Sequence, residues 1–108
     1  MLVQKIKLNR NELAKYNKVS IVGKVSTTGF NDSIGKSICL EEADIYVLEY
    51  GKEKYIGTID HIWLHGKKIN RYYFNKQQEY KIVGYTGLYH KRSGLMQFGI
   101  NPVEIYNA

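Results

Sequence analysis

At 108 residues, 44 % of them hydrophobic, the chain can bury one core and hardly two; it reads as a single domain over 1–108, with 1–17 as a short N-terminal extension. Its 16 Lys+Arg against 10 Asp+Glu give a formal net charge of +6, a basic balance suited to an anionic partner. No apolar run approaches the ~18 residues of a membrane span, the alternating start Met1-Leu2-Val3-Gln4-Lys5-Ile6-Lys7 is no secretory signal, and a single cysteine excludes an internal disulfide, so the cytoplasm is the expected setting.

Residues 2–8 fit a brief strand, and Asn9 or Asn11 can cap a short helical turn over 12–16. From Lys18 the alternation sharpens. Val19, Ile21, Gly23 and Val25 point one way and Lys18, Ser20, Val22, Lys24 and Ser26 the other, the pattern of a half-buried strand. Gly23 in its middle predicts a bulge or bend. Gly29, Asn31, Asp32, Ser33 and Gly35 are turn residues and predict a loop over 27–35, with Phe30 exposed in it.

A second strand starts over 36–40, with Cys39 as a small buried hydrophobe, then meets the acidic stretch Glu41-Glu42-Ala43-Asp44 and resumes over 45–50. The acidic stretch reads as a solvated bulge. A turn at 51–54 leads to a third strand over 55–65. In that strand Trp63 lies between Ile62 and Leu64, so the pattern leaves its facing open. Ile69, Tyr72 and Tyr73 fall at i, i+3 and i+4 and predict one or two helical turns within 69–78. The fourth strand, 80–89, sets Tyr80, Ile82 and Gly84 against Lys81, Val83 and Tyr85. A basic loop, His90-Lys91-Arg92-Ser93-Gly94, returns it to a fifth strand over 95–106. There Pro102 lacks a ladder donor, which predicts an edge or the end of the sheet.

The order strand, strand, strand, short helix, strand, strand is that of a mostly-β, five-stranded Greek-key OB-fold barrel with its helix between strands three and four. An SH3-like barrel, which lacks that helix, is the alternative. The runs Ile21-Val22-Gly23-Lys24-Val25, Gly35-Lys36-Ser37-Ile38-Cys39-Leu40 and Asp60-His61-Ile62-Trp63 resemble a family of small, mostly uncharacterised OB-fold-like proteins of Gram-positive phages, plasmids and integrative elements. The resemblance covers roughly 18–106. It departs at Lys76-Gln77-Gln78-Glu79, where a Gly-Asp pair is usual, and at Gly84 and Gly87, where bulkier or basic residues are usual. It implies a role in nucleic-acid handling by analogy of fold.

OB-folds bind single strands on the outer face of strands two and three, between the loops joining strands one and two and strands four and five. Such a site needs cations for phosphates and flat rings for bases. The first loop offers Phe30 and Lys36, and the second Tyr89, His90, Lys91 and Arg92. The middle strands offer Tyr46, Tyr55 and Trp63, with Lys52 and Lys54 at their turn. The expected function is therefore a non-enzymatic single-stranded nucleic-acid-binding module, DNA favoured over RNA, serving replication or transfer of a mobile element. The alternative is a protein-interaction or assembly module built on the same barrel.

No cofactor, metal or catalytic group is expected. His61 and His65 on a strand share a side but lie ~13 Å apart, too far for one ion. Asp60 and His61 point to opposite faces. Gly35-Lys36-Ser37 lacks the upstream glycine spacing of a phosphate-binding loop.

Overall fold

The computed structural model describes residues 6–90 and 96–108, with side chains described outside 88–98. Five antiparallel strands form one sheet: β1 (Lys18–Asn31), β2 (Gly35–Glu49), β3 (Lys52–His65), β4 (Glu79–His90) and β5 (Met96–Asn107), in the order β3-β2-β1-β4-β5. A short helix, α1 (Lys67–Arg71), joins β3 to β4, and a 3₁₀ helix, Arg10–Lys15, precedes the sheet.

Strand β1 is the middle strand, pairing with β2 on one side and β4 on the other. Its inward side chains Val19, Ile21 and Val25 are buried with Ile38, Leu40, Ile45, Ile62, Leu64, Tyr80 and Ile82 in one core. The β1–β2 ladder shifts register on either side of Gly23 and again between Val25 and Thr27. These bulges increase the local twist and curl the sheet around the core. Glu42, at φ 45°, adds a bend to β2 in the middle of the expected acidic bulge.

The N-terminal segment is tied to the sheet. Asn9 caps the 3₁₀ helix by accepting from the Asn11 amide at 3.0 Å, while the Glu12 carboxylate accepts from the Asn9 amide at 3.1 Å. This places Leu13 in the core with no exposed surface. Ile6 and Leu8 bond the backbone of Thr58 on the outer edge of β3. Gly57 permits that approach: its φ is 154°, and a Cβ there would lie 2.6 Å from the Leu8 side chain.

Three expectations are corrected. The loop over 27–35 is mostly strand, since β1 runs to Asn31 and Thr27 through Asn31 pair with β2; only residues 32–34 turn. The helix is α1 at Lys67–Arg71, not within 69–78. Beyond Arg71 the chain is extended, so Tyr72 and Phe74 turn towards the core while Tyr73 faces water. The alternation of an extended chain had imitated helical spacing. Finally, the sheet is not closed into a barrel: β3 and β5 are its edges, and no ladder joins them. They approach at Gly66, which lies beside Pro102 and Asn101, and α1 packs against β5 where a ladder would continue. Pro102 is on an edge strand, as its missing donor requires.

Candidate nucleic-acid interface

The solvent-facing side of β2 and β3 carries aromatic side chains at two stations. At one end Tyr46 and Tyr55 are cross-strand partners, with ring centroids 5.6 Å apart at 61°. The Thr58 hydroxyl donates to the Asp44 carboxylate at 2.9 Å. A hydroxyl has one proton, so Tyr55 is the donor in its 2.7 Å bond to the Thr58 oxygen. The chain Tyr55–Thr58–Asp44 holds the Tyr55 ring edge-on to Tyr46 and leaves it 39 % exposed.

At the other station Trp63 pairs with Cys39 across β2 and β3. Its neighbours Ile62 and Leu64 are buried in the core, so the indole faces outward and is 45 % exposed. The indole reaches across β2 to β1, where its Cζ3 lies 3.8 Å from the position a Gly29 Cβ would take. The ring edge therefore lies within van der Waals reach of β1 at Gly29. Cys39 is buried and carries a free thiol. Eight residues along β3 separate Trp63 from Tyr55, about 26 Å of strand.

The hairpin residues behave differently from each other. Phe30 is 75 % exposed at the end of β1. Lys36, its cross-strand partner, is engaged within the fold: its ammonium donates to the Tyr72 carbonyl and lies 5.3 Å from the Phe74 ring centroid and 5.9 Å from that of Tyr73. Asn70 of α1 accepts from the Lys36 amide at 3.1 Å. Lys36 therefore straps the hairpin to the segment after α1 and is not presented to a phosphate. Lys52 is exposed, while Lys54 pairs with Glu49 at 3.6 Å. Tyr89 and His90 belong to β4 by backbone, but their side chains lie outside the described ones; Lys91 and Arg92 lie outside the described residues altogether.

Four exposed rings were missed: Tyr50, Tyr73, Tyr85 and Tyr106. Tyr73 is 79 % exposed beside Lys36, and the run Tyr72-Tyr73-Phe74 held the signal, because three successive extended residues cannot all face inward. Tyr50 is 95 % exposed at the β2–β3 turn. With Gly51 it takes two successive positive φ values, 52° and 76°, the geometry of a type I′ hairpin turn.

Acidic groups separate the two aromatic stations. Glu41 and Asp44 sit on the outer side of β2, with Glu42 and Asp60 at the bend. Lys7 meets Asp60 at 3.3 Å. Glu53 forms an ion pair with Lys81 and accepts from the Ser20 hydroxyl at 3.1 Å. The Lys81 bond holds the Glu53 carboxyl below the ordinary carboxylate range.

A cleft of about 360 Å³ opens elsewhere, at the seam between the sheet edges. It lies between Arg10 of the 3₁₀ helix, His65 and Gly66 at the end of β3, residues 85–87 of β4 and residues 99–101 of β5. The Arg10 Nε is buried and has no hydrogen-bond acceptor among the described residues.

Among the described residues no three His, Cys, Asp or Glu side chains are grouped as metal ligands, and no helix is long and apolar enough to cross a membrane. No protein-family model matches the chain, and no curated protein matches it at a significant level.

Proposed function

We propose that the protein binds single-stranded nucleic acid, DNA in preference to RNA, across the outer side of β1, β2 and β3. The observation that carries this reading is Trp63, a half-exposed indole resting over Gly29 on the face it shares with Tyr46 and Tyr55. An indole held at its lower side and open above is a surface on which a base can stack. The fold supports the same reading. A five-stranded antiparallel sheet in the order β3-β2-β1-β4-β5 with a helix between β3 and β4 supports reading the domain as an OB-type fold left open at the β3–β5 seam. The resemblance to phage and plasmid proteins extends the proposal to replication or transfer of a mobile element.

Trp63 is the only tryptophan in the chain, so its fluorescence reports directly on the face. Titration with dT12 at ~50 mM salt, where phosphate attraction is strong, should quench it saturably. Trp63→Ala should weaken binding of a labelled dT12 by about 5- to 150-fold, the equivalent of about 1–3 kcal/mol of stacking. The same titration with rU12 should show weaker binding. Unchanged fluorescence together with unchanged anisotropy of the labelled strand would refute the proposal.

A second reading, docking of a partner's strand, is favoured by the edge strands β3 and β5, of which β3 is bonded by the N-terminal segment only at Thr58. It predicts that dT12 does not bind and that the protein self-associates or co-purifies with a partner.

A further inference from the structure

We infer that the seam cleft is a binding pocket for one nucleoside monophosphate unit, with the phosphate at Arg10 and the base beside Tyr85. The inference deepens the nucleic-acid reading by giving one nucleotide of the strand a seat away from the stacking face.

Charge is the first argument. Arg10 lines the cleft and no carboxylate does. No ion pair satisfies Arg10 among the described residues, and its buried Nε lacks an acceptor. The planar guanidinium fork suits phosphate oxygens; the Nε is itself shielded from the open cleft, so a phosphate reaches it only as the Arg10 side chain shifts to meet the ligand.

Shape is the second. Gly87 and Gly99 are directly opposed in the β4–β5 ladder, so this part of the wall carries no side chains. A Cβ at Gly87 would meet no atom within 4 Å. Beside the glycines stand Asn101 and its cross-strand partner Tyr85, whose partly exposed ring also holds the Lys18 ammonium of β1 at 5.3 Å from its centroid. A flat, open wall next to an aromatic ring admits a planar base, and the Asn101 amide offers both a donor and an acceptor to its edge. The cleft falls within the range of small-molecule pockets, about 300–1,000 Å³.

The test is an amide-resolved NMR titration with thymidine monophosphate, thymidine and inorganic phosphate at matched ionic strength. The monophosphate should shift the Thr86, Gly87, Gly99 and Asn101 amides and the Arg10 Nε–Hε resonance saturably, with thymidine and phosphate at least about tenfold weaker, because each supplies only part of the contact. Arg10→Gln should weaken the monophosphate by about 10- to 100-fold. Gly87→Val fills the open wall without touching Arg10 and should abolish binding; a dispersed spectrum for each variant verifies its fold. Equal responses to phosphate and monophosphate, shifts away from the cleft, or binding unaffected by both variants would overturn the inference.

Two arms separate a free nucleotide from the terminus of a strand. If the strand end is the occupant, dT12 bearing a 5′-phosphate should bind more tightly than dT12 with a 5′-hydroxyl, and Arg10→Gln should remove the difference. Equal binding of the two oligonucleotides, with the monophosphate still shifting the cleft, assigns the pocket to free nucleotide. If dT12 fails to quench Trp63 while the monophosphate still occupies the cleft, the outer-face reading falls and the pocket stands. If dT12 quenches Trp63 and the monophosphate leaves the cleft silent, the pocket falls alone.

Discussion

Leu13→Ala tests whether the segment before the sheet is part of the folded core. Leu13 has no exposed surface and belongs to the same buried cluster as Val19 and Ile82. Its position depends on the Asn9–Glu12 cap and on the Thr86 hydroxyl, which donates to the Tyr16 carbonyl just after the helix. Truncating a fully buried leucine loses its transfer free energy and leaves a cavity, about 2–5 kcal/mol. A domain of this size has on the order of 5–15 kcal/mol of stability in all, so the loss is a large fraction. At about 4–5 °C per kcal/mol, the thermal midpoint should fall by roughly 10–20 °C. The control is Leu48→Ala, a leucine 58 % exposed on β2; a surface change of that kind costs within about 0.5 kcal/mol. Circular-dichroism melts and urea titrations of the three proteins measure both effects. A Leu13→Ala midpoint within about 3 °C of the Leu48→Ala control would refute the argument that this helix completes the core.

Two further outcomes follow from particular contacts. Because Lys81 depresses the Glu53 carboxyl pKa below its ordinary value of 4.5, its contribution to stability is present above that value and is lost as pH falls through the depressed folded value. Urea midpoints between pH 6 and pH 3 should therefore decline less in Glu53→Gln than in the parent, and identical slopes would show the pair contributes nothing. The Tyr80 hydroxyl accepts from the Asn75 amide at 2.8 Å, while its ring stands edge-on to Phe74 at 5.0 Å. Tyr80→Phe should cost about 1 kcal/mol and Tyr80→Ala about 3–5 kcal/mol in urea denaturation; equal costs would mean that the ring packing is not what matters.

The parts of the fold legible in the sequence are those decided by local alternation. Val19, Ile21 and Val25 announced β1, and Gly23 its bulge, because a strand with one face in a core must alternate. Over 27–35 the turn chemistry of Gly29, Asn31 and Asp32 predicts a loop. Thr27 and Phe30 are nevertheless held in strand by their partners Cys39 and Lys36, a pairing local propensity does not report. Trp63 illustrates the same limit. The run Ile62-Trp63-Leu64 is apolar throughout, and only its pairing with Cys39 decides that the indole faces water. The charge on Lys36 was visible, but its bond to the Tyr72 carbonyl joins residues 36 apart. The seam cleft was further out of reach: Arg10, His65 and Asn101 come from segments with nothing in common except the fold.

The distribution of charge decides how a single strand can lie on the outer face. A path along β3 from Tyr55 to Trp63 would carry phosphates past Asp44, Glu41 and Asp60, which repel them. Nor are all the nearby cations available, since Lys36, Lys54, Lys81 and Lys7 are each engaged with another group. On the proposed reading, a strand would cross β3, β2 and β1 near Trp63 and draw its affinity chiefly from stacking. Salt dependence measures this. For single strands the slope of log K against log [salt] is about −0.7 per phosphate neutralised, so one or two engaged cations predict a slope near −1, whereas six would give about −4. Anisotropy titrations of dT12 from ~50 to ~300 mM NaCl resolve the two cases, because a slope of −4 costs more than a thousandfold in that range. A slope near −1 that accompanies Trp63 quenching agrees with a strand seated on the indole. A slope near −4 with Trp63 unperturbed would mean that the strand is held by basic surface elsewhere, and the outer face would lose its role.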